Sequence, residues 1–344
     1  MTKTEKAKRL LDADKPSPAL KLLDGQGGFE ARYLKAEAAR MLGRFGPAAA
    51  QYESARKLAR GGQNAACLLG LAKCLRASGL AVRAIAACRA AAKAARGDAQ
   101  LQTQCELELA LALRARGELR PAMKLLDALF SRFAAEKDYS AMGYVCWARG
   151  GIYRLEGDFG RSIAQFGLSA KYSAGDRAAL GYAWFGLGGV CRVAGDVASS
   201  EKYYRMAEKI FRGSDDAFGK AYASCGLANA LRQKGDLSAA LRLYRKADRL
   251  YSGIGDRPDL GFVRWGIGNI LLKRGAVKSA LAEFMKARAL FSGSDEKRGE
   301  ILSRLSAAQC LYLLGRKPRA VAEYDRAVAD AKSCGLCAYL ETFT

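Results

Sequence analysis

The sequence predicts an all-helical repeat protein, and three observations support this prediction. Half of the residues are hydrophobic, only 6 are proline, and no long stretch alternates apolar and polar residues as a sheet would. A glycine recurs every 36 to 40 residues between two apolar segments, and the residues around it repeat at fixed offsets. Because 344 residues exceed the usual size of one compact core, an array of repeats is expected.

Eight glycines mark the repeats, and each is called here the turn glycine of its repeat. They are Gly43, Gly79, Gly117, Gly157, Gly195, Gly235, Gly275 and Gly315. The residue seven before each is small: Ala36, Ala72, Ala110, Gly150, Gly188, Ala228, Gly268 and Ala308. The residues nine positions after the turn glycines are, in order, Tyr52, Cys88, Leu126, Phe166, Tyr204, Tyr244, Phe284 and Tyr324. Small residues let two helices approach, and glycine ends a helix in the left-handed conformation, so each repeat is predicted to be a helical hairpin.

The predicted elements follow this register along the chain. Residues 1–27 form a degenerate capping hairpin, with one helix around 4–13 and another around 18–25. Residues 28–333 form a solenoid of about eight repeats, and residues 334–344 form a short tail. The whole is predicted to be a right-handed superhelical solenoid of about nine antiparallel hairpins. Aspartates near the start of a first helix are expected to cap it: Asp138, Asp176, Asp216, Asp256 and Asp295.

This pattern resembles the tetratricopeptide repeat, whose signature places small residues, a turn glycine and an aromatic at the same offsets. The resemblance covers nearly the whole chain, although the period is nearer 40 residues than the family's usual value of about 34. Segments such as 255–275 look like the long-helix subgroup found in Pins-type spindle adaptors and kinesin light chains. That resemblance implies a groove that binds extended peptides.

In the family, one face of the first helix of each repeat lines this groove. The residues thirteen, ten, six and three before the turn glycine share that face. Three before the glycine stands arginine in six consecutive repeats: Arg40, Arg76, Arg114, Arg154, Arg192 and Arg232. These six residues are called the arginine row. The resemblance implies that Asn229 and Asn269, six before the glycine, pair with the backbone of a bound peptide, whereas Gly151 and Gly189 depart from that pattern.

The predicted peptide-binding groove combines arginine, aromatic and asparagine side chains. It comprises Arg114, Tyr144, Trp147, Arg154, Tyr182, Phe185, Arg192, Tyr222, Asn229, Arg232, Phe262, Trp265 and Asn269. Guanidinium forks and apolar rings suit an extended segment that carries Asp, Glu or phosphate. Two alternatives remain open: the arginines only solvate the helices or pair with neighbouring acids, and the aromatics pack between repeats.

The amino-acid composition limits the kinds of function that are expected of this chain. The chain has 57 Lys+Arg against 34 Asp+Glu, a net charge of +23, which favours acidic partners. It contains no histidine, the commonest general base and metal ligand, and no phosphate-binding glycine loop follows a strand. The sequence therefore predicts a protein that is not an enzyme and has no cofactor. Cys334 and Cys337 have the spacing of half a zinc or redox site, without a second pair.

Three functions are compatible with these residues. The favoured one is a protein-interaction adaptor or scaffold that binds an acidic or phosphorylated segment. The second is a basic protein that binds single-stranded RNA or DNA, because arginines interleaved with aromatics suit stacked bases. The third is a peptide-sensing regulator, resembling the helical-repeat receptors of bacterial signalling. Ten cysteines in mostly apolar helices indicate reduced thiols and a cytoplasmic location, and no apolar segment suits membrane insertion.

Overall fold

The computed structural model describes residues 1–334, and these residues form helices joined by short turns. The helices in this range are α1 Lys3–Asp12, α2 Pro16–Leu22, α3 Gly28–Met41, α4 Phe45–Arg56, α5 Gln63–Ala77, α6 Ala81–Ala94, α7 Ala99–Arg116, α8 Leu119–Glu136, α9 Tyr139–Glu156, α10 Phe159–Tyr172, α11 Arg177–Val193, α12 Val197–Arg212, α13 Ala217–Lys234, α14 Leu237–Ile254, α15 Arg257–Lys273, α16 Val277–Phe291, α17 Lys297–Leu313 and α18 Lys317–Ser333. Odd-numbered helices from α3 onward are the first helices of the predicted repeats. The predicted all-helical fold is confirmed.

The described residues divide into two compact units. The N-terminal unit comprises Met1–Arg132 with the short pieces Asp215–Ala217 and Gly253–Asp256. The C-terminal unit comprises Phe133–Ser214, Phe218–Ser252 and the chain from Arg257 onward.

The N-terminal unit begins with the predicted short hairpin, formed by α1 and α2. A capping box starts α1, in which Thr2 and Glu5 satisfy each other's backbone N–H groups. The hairpin buries Ala7 and Leu23 in one cluster with Leu34 of α3. It therefore covers the apolar side of the first full repeat.

The turn glycines behave as the sequence predicts. All eight have a positive φ, between 72° and 97°, a conformation that glycine adopts without the steric cost of a Cβ. The first helix of each repeat thus ends in the left-handed conformation, and the chain reverses into the second helix.

Aspartates cap both helices of several repeats. Asp138 and Asp176 accept hydrogen bonds from the backbone N–H groups of Ala141 and Ala179, at 2.9 and 3.0 Å, as predicted for first helices. The N-cap of α17 is Glu296, and Asp295 lies directly before it. Further caps lie directly after turn glycines and begin second helices: Asp158, Asp196 and Asp236.

In five of the repeats a buried ring joins the repeat to the next one. The rings nine residues after the turn glycine are at most 3% exposed in five repeats: Tyr52, Phe166, Tyr204, Tyr244 and Phe284. Tyr204 lies between Gly188 of its own first helix and Gly226 of the following one, and a Cβ on Gly226 would collide with the ring. Phe166 and Tyr244 meet a glycine of the following first helix in the same way. The missing side chains let each ring reach helix backbone on both sides.

A second row of buried aromatics lies sixteen residues after the turn glycine: Phe133, Phe211, Tyr251 and Phe291. Phe211 packs between Gly181, whose Cβ would lie 2.6 Å from the ring, and Gly219 of the following first helix. Phe291 sits in the same way between Gly261 and Gly299. This second contact requires a longer second helix, which accounts for a period longer than the family's usual value of about 34 residues.

Replacing Phe211 by alanine tests this second row. The ring is 1% exposed, so its loss should lower the free energy of unfolding by about 3 to 5 kcal/mol through lost burial and a residual cavity. Urea denaturation followed by circular dichroism measures the change. The control is Ile163→Ala on α10, whose side chain is 42% exposed and whose loss should cost under about 1 kcal/mol. Equal costs for the two variants would contradict the role of Phe211.

Thiol reactivity provides a second test of the core. Burial raises the pKa of Cys74 and Cys88 to about 12, and alkylation requires the thiolate. At pH 8 we expect iodoacetamide to modify the exposed Cys334 in the folded protein, and these two core thiols only after denaturation. Mass spectrometry of individual peptides measures each site. Rapid modification of Cys88 without denaturant would contradict the structure.

Candidate functional site

The arginine row lies where the sequence places it, in the last turn of six successive first helices. All six side chains are half-buried. Arg40, Arg76 and Arg114 belong to the N-terminal unit, whereas Arg154, Arg192 and Arg232 belong to the C-terminal unit. Each group is described within its own unit.

The buried tyrosines hold the arginines in place. In the C-terminal unit, Nε of Arg232 donates to the Tyr244 hydroxyl at 3.4 Å, and Arg192 hydrogen-bonds the hydroxyl of Tyr204. In the N-terminal unit, Nε of Arg40 donates to the Tyr52 hydroxyl at 3.3 Å. Arginine and tyrosine are twelve residues apart each time. The ring that joins two repeats therefore also orients a guanidinium.

The asparagines of the predicted groove make hydrogen bonds inside the repeat. The Tyr244 hydroxyl donates to Oδ1 of Asn229 at 2.7 Å, and Nδ2 of Asn229 donates to the Cys225 carbonyl at 3.0 Å. Nδ2 of Asn269 donates to the Trp265 carbonyl at 2.8 Å. An amide has two donor hydrogens and two acceptor lone pairs, so each asparagine keeps capacity for another partner. Their pairing with a peptide backbone stays a prediction.

The predicted aromatics of the C-terminal unit are partly packing residues. Tyr182 meets the buried ring of Phe211 edge-on, with centroids 5.0 Å apart, and Phe262 meets Phe291 at 4.9 Å. Most of these side chains remain half-buried, and Tyr144 is 41% exposed. Packing therefore fixes the rings while part of their surface stays accessible.

Neighbouring rings of this set also contact one another. Tyr222 lies 5.1 Å from Phe185, centroid to centroid, and Tyr144 lies 5.7 Å from Trp147. Trp265 donates its indole N–H to Ser306 at 2.9 Å, and the Arg232 guanidinium lies 5.6 Å from its ring centroid. Within the C-terminal unit the structure thus brings Arg232 of α13 against Trp265 of α15, and Phe185 of α11 against Tyr222 of α13.

In the N-terminal unit, carboxylates neutralise two arginines of the row. Nε of Arg76 lies 2.5 Å from Oε1 of Glu108, which is 3% exposed. Glu37 accepts hydrogen bonds from Arg40 and from the Tyr52 hydroxyl. Burial alone would raise the pKa of Glu37, but the charge and hydrogen bond of Arg40 and the bond from Tyr52 outweigh it and lower that pKa.

Glu108 occupies a position that glycine fills in four other repeats, nine before the turn glycine. The preceding repeat carries the small Cys88 instead of an aromatic ring nine after its turn glycine. The smaller thiol leaves room for the carboxylate. In the sequence, Cys88 and Glu108 both depart from the residues found at these positions in other repeats. The two departures together were a signal of this ion pair.

The described residues contain no group of three or more His, Cys, Asp or Glu placed to hold a metal ion. Cys334 is exposed, and Cys337 lies outside the described range, so the spacing of this pair stays an observation on the sequence. Within the same range, no helix is both long and apolar enough to cross a membrane.

Comparison with known proteins identifies the repeat. Residues 33–99 and residues 179–252 each match a family model described as tetratricopeptide repeat. Among curated proteins, none matches the sequence.

Solved structures of low sequence identity share the fold. A Rap protein complexed with competence and sporulation factor is similar over 97% of this chain and 98% of its own, with a TM-score of 0.72 and 13% identity. The apo form of RapI covers 96% of both chains at a TM-score of 0.54 and 13% identity. A chain of the APC/C hetero-tetramer Cut9-Hcn1 is similar over 96% of this chain and 81% of its own, with a TM-score of 0.54 and 12% identity.

Stacked helical hairpins with aligned polar residues on their first helices define a repeat scaffold for protein interactions. The chain contains tetratricopeptide repeats. Membership of the Pins and kinesin light chain subgroup stays a prediction.

The pH dependence of stability tests the neutralised part of the arginine row. The pKa of Glu37 lies below its ordinary value of 4.5 in the folded protein, so its contribution to stability is complete above that pH and is lost as the pH falls through the lowered pKa. Glu37→Gln should cost about 1 to 3 kcal/mol at pH 7 and less at pH 3. Urea denaturation between pH 3 and 7 measures both proteins. A cost that does not change with pH would contradict the role of the carboxylate.

Proposed function

We propose that this protein is a non-enzymatic adaptor whose groove holds an extended acidic or phosphorylated segment of a protein partner. The observation that carries the proposal is the set of Arg154, Arg192 and Arg232 at equivalent positions of α9, α11 and α13. The hydrogen-bond partners of Arg192 and Arg232 include neutral phenols. A phenol orients a guanidinium without adding a negative charge of its own, which suits an arginine that binds an anionic ligand.

The aromatics beside these arginines supply apolar contact area. Rings that are already packed lose little freedom on binding, so their half-buried faces can cover an extended chain at low entropic cost. Alternating charge and apolar surface on repeats of equal spacing favours a linear ligand over a compact one. The overall charge of +23 further favours an acidic partner through electrostatic attraction.

The available side-chain chemistry favours binding over catalysis. The chain has no histidine, and burial raises the pKa of core thiols such as Cys146 and Cys310 to about 11, which keeps them protonated at neutral pH. Reduced, buried cysteines are also typical of a cytoplasmic protein, which is the location we propose.

Charge reversal tests the adaptor proposal. The variant Arg154→Glu, Arg192→Glu, Arg232→Glu should lower capture of a protein partner from a lysate of the source cells by about a hundredfold or more, because charge-assisted hydrogen bonds are replaced by repulsion. The wild type and the variant are each immobilised and exposed to the lysate at about 0.15 M salt with nuclease added. Mass spectrometry then identifies and compares the proteins that each one retains.

The control changes the same net charge elsewhere in the C-terminal unit. Arg242, Arg245 and Arg249 are exposed on α14, and their replacement by glutamate should leave capture nearly unchanged. Circular dichroism and urea denaturation show whether both triple variants are folded. Unchanged capture by the folded groove variant would refute the proposal. Capture that disappears with nuclease, with affinity falling by orders of magnitude as salt rises fourfold, would instead support single-stranded nucleic-acid binding.

A peptide-sensing regulator is the second candidate. It is favoured by the similarity in fold, over nearly the full length of both chains, to a Rap protein solved in complex with competence and sporulation factor. In this case a bound ligand would shift the equilibrium between two conformations of the repeats. Small-angle scattering with and without the captured ligand distinguishes the two candidates, because an adaptor needs no change in dimensions on binding.

A further inference from the structure

Gly189 on α11 has an unusual neighbour. Six residues before the turn glycine, later repeats carry Asn229, Asn269 and Gln309, whereas this repeat has no side chain there. The point where a Cβ on Gly189 would stand lies 2.9 Å from Nη1 of Arg154. The guanidinium of α9 therefore lies directly against the backbone of the following first helix, in space that any other residue would fill.

The hydroxyl of Tyr204 lies beside the same point. It is 3.5 Å from the Cβ position of Gly189, and it is hydrogen-bonded by Arg192. Burial raises the pKa of Tyr204, while the charges of Arg192 and Arg154 both act to lower it. Two guanidinium groups from neighbouring repeats thus converge on one neutral hydroxyl, and its ring is 2% exposed and held between two helices.

The next position along the row is different. Arg232 lies against the ring of Trp265, and Asn269 occupies the site that corresponds to Gly189. In that repeat a side chain therefore occupies the position that Gly189 leaves open to the Arg154 guanidinium.

We infer that Arg154 and Arg192 form a site for a phosphate monoester on the bound segment, and that Gly189 determines this specificity. The inference rests on the proposed function, and it selects a phosphorylated segment over one that is only acidic. A phosphoserine carries a charge of about −1.5 to −2 and three acceptor oxygens, which two guanidinium forks can share. A carboxylate has a single charge and two oxygens, which one fork satisfies.

A single methyl group tests the site. In Gly189→Ala, the new Cβ would meet the flexible end of Arg154, so the guanidinium must move while the helix is retained, because alanine favours helix more than glycine. The matched control is Gly167→Ala on α10, where a Cβ meets nothing within 4 Å. The probes are three pools of random peptides with a fixed central phosphoserine, glutamate or serine. Fluorescence polarisation at constant ionic strength measures the affinity of each pool.

The wild type and Gly167→Ala should bind the phosphoserine pool about tenfold more tightly than the glutamate pool, the factor expected for one added charge-assisted hydrogen bond. Gly189→Ala should lose that preference and still bind the glutamate pool within about twofold of the wild type. Equal binding of phosphoserine and glutamate by the wild type, or an unchanged preference in Gly189→Ala, would overturn the phosphate site while leaving the acidic groove intact. Failure of both anionic pools to exceed the serine pool would overturn the proposed function itself.

Discussion

The contact on which this structure depends is a buried ring held between two helix backbones. In the C-terminal unit Tyr204 fills the space between Gly188 and Gly226, and Phe211 fills the space between Gly181 and Gly219. Each ring binds its own hairpin and the next one at once, so a repeat without its successor would expose the ring to water. Stability is therefore shared between neighbours, as in other repeat proteins.

The candidate site is an extension of the same contact. When the ring nine residues after the turn glycine is tyrosine, its hydroxyl reaches the arginine face and bonds to Arg40, Arg192 or Arg232. When the ring is Phe166, no hydroxyl is present, and Arg154 instead lies against Gly189 of the following helix. The choice between tyrosine and phenylalanine at a buried position thus changes where a guanidinium lies on the surface.

Identical arginines also have different electrostatic surroundings. Arg76 faces the buried carboxylate of Glu108, so most of its charge is compensated within the N-terminal unit. Arg192 and Arg232 bond to neutral tyrosines. An arginine in a repeat pattern is therefore not by itself a binding residue, because its partner decides whether it attracts a ligand or closes an internal ion pair.

The sequence by itself determined the helical hairpins, their register, the turn glycines and the alignment of the arginine row. These features depend on local geometry: a period of 3.6 residues, a left-handed glycine and small residues at fixed offsets. Only the tertiary structure decided which side chains face each arginine, since Glu108 lies thirty-two residues from Arg76 and Gly189 thirty-five from Arg154. Contacts between repeats depend on how two helices approach, and the volume of one buried side chain, such as Cys88 in place of a ring, is enough to change them.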